Sequence, residues 1–377
     1  MSLDLNNASV VHEDRTVVNP LSDETINLRS FINNLTEHAK FDVLRALKTR
    51  STPTGIEDRG ITSRKTASKH FAEFERRGLA IPTKNESRTE NELELSLGGQ
   101  FLVDETNRCL RVVDRDQLAD LTRSPNSICC LRALGQQPWR PGDLAAKADS
   151  PSRMTVWRYF DLFAGFGWCE ASTAGYDLAP IGNQILHSYG ELLHVAEQTI
   201  AKAPFLQRLS PPPVESIEFP IHALDDAELV FSSPTSQGLA TSAALKLCDP
   251  RTRHYRTLTS IFNPRLFRMY HGIVKLGMDS VGVIDASVYE HICKRDDLHF
   301  LFDNDTHDHY QLLRLEESLT LGIGLYDNRK VAIGAYNETG DGNHTAVIIS
   351  THDELVEWGT AVFNYYRERA VHPEVSS

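Results

Sequence analysis

Apolar positions repeat themselves in the first half of the chain. Residues 39–49, AKFDVLRALKT, set Phe41, Val43, Leu44 and Leu47 at helical spacing. A short TGIEDRG segment offers a second, brief helix, and Thr62 or Ser63 is placed to N-cap a third. In that third helix Ala67, Phe71 and Phe74 fall at i, i+4 and i+7 and face inward, which turns Arg64, Lys65, Ser68 and Lys69 outward. Gly78 supplies the stop. Beyond it, LAIPTKNESRTENELELSLGG alternates Leu93, Leu95 and Leu97 as a half-buried strand does, and the polar turn before them carries Lys84 and Arg88.

The same plan recurs. SRKTASKHFAEFERRGLA (63–80) and SRMTVWRYFDLFAGFGWC (152–169) align without a gap at an offset of 89, with six identities: Ser63/Ser152, Arg64/Arg153, Thr66/Thr155, Phe71/Phe160, Phe74/Phe163 and Gly78/Gly167. LRAL occurs ahead of each, at 44–47 and 131–134. Leu178 and Gly182 answer Leu95 and Gly99 at the smaller offset of 83, so the second hairpin is shorter, with a turn at Ala174-Gly175. Three helices followed by a hairpin is the layout of a winged helix, whose third helix enters the major groove while the wing holds phosphates. A duplicated stretch therefore predicts a duplicated fold.

Past residue 188 a long helical pattern leads to a stiff joint at Pro211, Pro212 and Pro213, after which strands and helices alternate. AELVFSS, SVGVIDASV, SLTLGIGLYDNRKVAIGAY and HTAVIIST read as β-rich, the third with a hairpin turn at Asp327-Asn328. PRLFRMYHGIVKLGM reads as a helix, and so does THDELVEWGTAVFNYYRERA, with Thr351 or Asp353 as its N-cap. The expected fold class is an α+β N-terminal tandem winged helix-turn-helix followed by an α/β C-terminal sensor domain. The expected divisions are a flexible leader at 1–25, the winged units at 26–104 and 105–187, a linker helix and joint at 188–214, and the sensor and dimerisation domain at 215–372.

Charge sharpens this picture. The chain of 377 residues has a formal net charge of −12, a composition that suits solubility in strong salt and suggests a halophile. The whole molecule cannot attract phosphate, so nucleic-acid contact has to be local. Between Lys40 and Glu90, twelve basic side chains stand against seven acidic ones. This basic island in an acidic chain marks the first winged unit as the DNA reader. In the second unit Arg153, Trp157 and Arg158 project, but the charges across Leu131 to Leu186 cancel.

Catalytic chemistry finds no footing. There is no G-x-S-x-G, H-E-x-x-H or phosphate-binding Walker loop, and no G-x-G-x-x-G follows a strand. The six cysteines lack a C-x-x-C pair and read as small buried thiols. FDNDTHDHY groups Asp303, Asp305, His307, Asp308 and His309, a set that could hold a metal but reads better as an acidic surface loop. No cofactor is expected. Neither a transmembrane run nor a signal peptide is legible, so a cytoplasmic location is expected.

From Tyr176 to Glu368 the chain resembles archaeal transcription factors with a methanogenesis-regulator middle domain. The resemblance rests on YDLAPIGNQIL, RTLTSIFNPRL, SVGVIDASVYEHI, LTLGIGLYDNRKVAIGAY and EWGTAVFNYYRE. That family usually has one winged helix ahead of its sensor, where this chain shows the pattern of two. Related sensors are similar to degenerate phospholipase D, which needs H-x-K-x-x-x-x-D; the nearest string here, His271 to Asp279, has the wrong spacing. The resemblance implies binding rather than catalysis.

The reading from sequence is a DNA-binding transcription regulator. Arg64, Lys65, Ser68 and Lys69 would meet the groove, with Arg76, Arg77, Lys84 and Arg88 on phosphates and Arg153 and Arg158 offered by the second unit. Its expected partners are double-stranded DNA, a small-molecule effector and a second copy of the chain, with no membrane. The rival readings are a protein-docking scaffold and an enzyme fused to a regulatory module.

Overall fold

In the computed structural model of this chain, Ser63 and Ser152 begin the same helix twice. Each side chain accepts a hydrogen bond from the backbone N–H three residues on, at Thr66 and Thr155. That bond satisfies one of the donors that every helix start leaves open. The structure describes residues 15–37, 39–83, 91–209, 217–232, 239–247, 249–302, 309–336 and 346–373. They divide into two units, Met1–Ala201 and Lys202–Ser377.

The first unit opens with a hairpin of β1 (Thr16–Asn19) and β2 (Glu24–Asn27), followed by α1 (Leu28–Thr36). The first copy of the repeat is α2 (Lys40–Ala46), α3 (Pro53–Asp58), α4 (Arg64–Arg76), β3 (Ala80–Pro82), β4 (Leu93–Leu95) and α5 (Leu97–Cys109). Then α6 (Arg115–Thr122) leads to the second copy. This is α7 (Pro125–Gln136), α8 (Pro141–Ala145), α9 (Arg153–Gly165), β5 (Cys169–Ser172), β6 (Gly175–Leu178) and α10 (Pro180–Ala201).

The correspondence between copies reaches individual atoms. Gly78 and Gly167 both end their helix at φ 74°, a left-handed conformation that a side chain would strain. The next N–H then bonds back to a phenylalanine carbonyl, Leu79 to Phe74 and Trp168 to Phe163, each at 2.8 Å. A single residue adds a third rung to each hairpin, Ser51 beside Leu93 and Trp139 beside Tyr176. Gly99 and Gly182 sit where the following helix crosses the hairpin. A Cβ there would lie 2.0 Å from the Leu79 carbonyl oxygen and 2.3 Å from that of Trp168, so only glycine lets the backbones approach.

Three expectations change in the first unit. Residues 16–27, within or beside the expected leader, form the β1–β2 hairpin, whose turn holds Asp23 at φ 54°. Leu97 does not continue the strand of Leu93 and Leu95; Ser96 caps α5 by accepting from Gly99 N–H, and Leu97 is the first residue of that helix. The linker-helix span is core up to Ala201, because Ile185, Tyr189, Leu192, Ala196 and Ile200 form a buried stripe on α10 that packs against α5, α1 and α7.

The second unit holds α11 (Ala203–Leu206), β7 (Glu228–Phe231), α12 (Leu239–Lys246), β8 (His254–Thr259), α13 (Pro264–Val274), β9 (Asp279–Ile284) and α14 (Ala286–Cys293). There follow β10 (Tyr310–Arg314), β11 (Leu321–Tyr326), β12 (Lys330–Ala335), β13 (Ala346–Ser350) and α15 (Asp353–Arg367). The sheet order is β10-β9-β8-β11-β12-β13-β7. The first three strands are parallel, joined by crossovers through α13 and α14, and the rest pair antiparallel. Asp327 and Asn328, both at φ 53°, turn the β11–β12 hairpin. α15 seats Gly359 against Val331, Leu325 and Ile323 on one face; its N-cap is His352, not Thr351 or Asp353. α13 covers Tyr255, Tyr326, Ala332 and Val347 on the other. The Pro211–Pro213 joint lies outside the described residues.

Candidate nucleic-acid interface

α4 is built to show one face. Ala67, Phe71 and Phe74 are buried while Arg64, Lys65, Ser68 and Lys69 are exposed. Burial of Ala67, Phe71 and Phe74 fixes which face is shown, and Ser63 and Gly78 fix where the helix starts and ends. Glu57, at the close of α3, accepts from the Arg64 backbone N–H at 3.1 Å, which places a carboxylate at the electropositive helix start. The Ser68 hydroxyl bonds its own helix at the Arg64 carbonyl, 2.9 Å away.

Ion pairs sort the basic island. Arg45 pairs with Asp42, Lys48 with Asp104 and Arg50 with Glu94. Arg76 and Arg77, expected on phosphates, both reach back to Glu24 of β2. Arg77 is the more committed: it also holds Glu73 at 2.5 Å, lies over the Phe31 ring at 5.4 Å, and its side chain is only 13% exposed. It fastens the end of α4 to the β1–β2 hairpin and α1. The basic face that projects is thus the N-terminal half of α4. Lys84 and Arg88, expected at the wing tip, lie outside the described residues.

Beneath this face sits a buried ion pair. The Lys40 ammonium contacts Glu73 at 2.6 Å and also bonds Asn34. Burial pushes the Lys40 pKa down in spite of Glu73. Burial likewise works to raise Glu73, but the bond from Lys40 and the charges of Lys40 and Arg77 outweigh it and hold the carboxyl below its usual value. His70, stacked on Phe74, is pushed down by burial and by the Lys40 charge. It therefore stays a neutral ring under the basic face.

The second copy presents different chemistry from the same scaffold. On α9, Arg153 and Arg158 are exposed, with Met154 and Trp157 beside them at 74% and 51% exposure. Arg158 lies over the Tyr159 ring at 5.0 Å. Sequence periodicity placed Trp157 outward but gave no weight to Met154, although it stands three residues away on the same face. Of the acidic group from Asp303 to His309, only His309 is among the described residues, and its ring bonds the Val274 carbonyl. No group of metal-ligating side chains occurs among the described residues, and no helix there is long and apolar enough to cross a membrane.

Residues 243–369, from α12 to just past α15, match the family model described as methanogenesis regulatory protein FilR1, middle domain. The family resemblance read from the sequence began earlier, at Tyr176; the FilR1 match leaves α10 out. Residues 115–199, covering α6 and the second copy into α10, match the HVO_A0261 N-terminal domain. No curated protein matches. Among solved structures, the archaeal chromatin protein TrmBL2, described as showing a novel mode of DNA binding, is 14% identical, with 66% of this chain and 93% of that one covered at a TM-score of 0.31. NucT from Helicobacter pylori is 12% identical, covering 39% of this chain and 99% of its own at 0.31. The phospholipase D family member Nuc from Salmonella typhimurium is 16% identical, covering 40% and 99% at 0.30. Scores this low support no statement about fold or function.

Proposed function

We propose that this chain is a transcription regulator that binds double-stranded DNA in a sequence-specific manner through tandem winged helix-turn-helix modules and senses a small molecule with its FilR1 middle domain. The observation that carries the DNA reading is the exposed basic face of Arg64, Lys65, Ser68 and Lys69 on a helix capped at both ends and backed by a hairpin. A rigid helix of that kind fits the major groove, with its N-terminal residues toward the base edges. The regulator part of the family description supports the same reading. The protein acts as a homodimer in the cytoplasm and is not an enzyme. Selection of bound sequences from random duplex DNA, followed by fluorescence anisotropy, tests it: an enriched motif with inverted halves is expected, and no enrichment at any salt concentration would overturn it.

For the second copy one observation favours protein docking instead. Met154 and Trp157 place exposed apolar surface at the positions where α4 carries Lys65 and Ser68. On this reading the first copy reads DNA and the second holds a protein.

A further inference from the structure

The sheet face under α13 is built with too little side chain. Across four neighbouring strands one register row reads Gly282, Thr257, Gly324 and Ala332. Gly322 and Gly334 pair in the same hairpin one row away. A buried sheet face normally carries branched residues that fill the space to the covering helix. Here small residues form the floor, the side chains of Leu312, Tyr326 and Tyr336 lie over its glycines, and a cavity of about 110 Å³ opens beneath α13.

Its walls are aromatic. Tyr255 stacks on Tyr270 of α13 with centroids 4.2 Å apart and planes 4° from parallel. The Tyr270 and Tyr326 hydroxyls bond each other at 2.8 Å. Next on α13, the His271 ring lies 4.4 Å from that of Phe300 and 5.7 Å from that of Tyr310. No aspartate, glutamate, lysine or arginine lines the cavity among the described residues.

We propose that this cavity is the binding site for an uncharged single-ring compound carrying a hydroxyl or carbonyl oxygen. Size allows no more than one ring, since an apolar cavity of about 150 Å³ takes one benzene and this one is smaller, at about 110 Å³. Neutral walls exclude ions, because a buried charge without a counter-charge loses its hydration uncompensated. Flat tyrosine faces suit a planar ring, and the wall hydroxyls suit a single oxygen. Burial raises the phenols of Tyr310 and Tyr336 above their usual range, so both stay uncharged, and Tyr310 donates to the Leu301 carbonyl at 3.1 Å. The proposal deepens the sensing role given above and rests on it.

The test uses the purified full chain and phenol as probe, with benzene and benzoate as comparators, by ligand-observed NMR and calorimetry. Saturable phenol binding is expected, with benzoate at least about tenfold weaker, as the neutral lining requires. Gly324→Val, whose Cβ would start 3.0 Å from the Tyr326 hydroxyl, is expected to abolish binding. Tyr270→Phe keeps the ring and removes the hydroxyl, so phenol should weaken several-fold while benzene is unchanged; this variant decides the matter if the valine does not fold. Absence of saturable phenol binding, equal binding of benzoate, or full binding in both variants overturns the proposal. DNA affinity measured with and without phenol separates the two readings: binding with no change in DNA affinity upholds the site and sinks its role as a sensor.

Discussion

α4 and α9 start on the same Ser-x-x-Thr cap, end on a glycine at the same φ and seat the same two phenylalanines, yet they show the surroundings different faces. The first presents Arg64, Lys65 and Lys69; the second presents Arg153, Met154, Trp157 and Arg158. Backbone devices are shared because each satisfies a fixed demand, such as an open N–H or a close helix crossing. Outward residues carry no such demand and are free to take different partners. The inner layer differs most in polarity at one place: Glu73, paired with buried Lys40, aligns with Leu162, which packs on the core. A buried ion pair and an apolar contact thus hold equivalent helices in place.

The comparison can be broken first at its glycines. Gly99→Ala and Gly182→Ala should each cost about 3 kcal/mol, because a backbone oxygen stands where the methyl must go. Urea unfolding checks this; a loss below about 0.5 kcal/mol in either would end the claim of a common scaffold. Next, the double variant Arg64→Ala/Lys65→Ala should lower DNA affinity roughly a hundredfold through lost base and phosphate contacts. Arg153→Ala/Arg158→Ala should cost less than about tenfold, and the opposite ranking by anisotropy would move DNA reading to the second copy.

Smaller effects sharpen the inner difference. Glu73→Gln leaves the Lys40 ammonium buried without its counter-charge and should destabilise by about 2 kcal/mol, whereas Lys40→Leu/Glu73→Leu, imitating the second copy, should recover much of that loss. Denaturation of the three proteins side by side is the measurement. Smallest is a pH effect. The hydrogen bond from Arg115 holds Asp42 below the usual carboxylate value. Its contribution, at most about 1 kcal/mol for so exposed a pair, is present above the unfolded value near ~3.9 and fades as pH falls through the folded one. Asp42→Asn should flatten the stability profile in acid, and an unchanged slope would remove this link between α2 and α6.

What was legible in the sequence followed local chemistry. The caps at Ser63 and Ser152, the stops at Gly78 and Gly167 and the Asp327-Asn328 turn each need only a few neighbouring residues, and all three are visible as written. The tie of Arg77 to Glu24 was not legible, because Glu24 lies 53 positions away on a hairpin that the sequence pattern hid. TVVN and ETIN are too short to show alternation, and the turn between them holds Asp23 at a positive φ. The cavity was hidden for a related reason. Gly282 comes from a different segment than the hairpin of Gly324 and Ala332, and they become one row only when the register of four strands is known.

The register also orders events in time. Among the described residues β7 pairs only with β13, and more than a hundred residues separate them. Closing so long a loop is entropically costly and slow. In the first unit each hairpin follows directly on its third helix and pairs strands close in sequence, so both copies can fold while the ribosome is still adding the rest. The edge strand of the C-terminal sheet must wait, exposed, until its partner has been made. A nascent chain would therefore hold a finished first unit well before the β7 edge is covered, and that interval is when this protein most needs a chaperone.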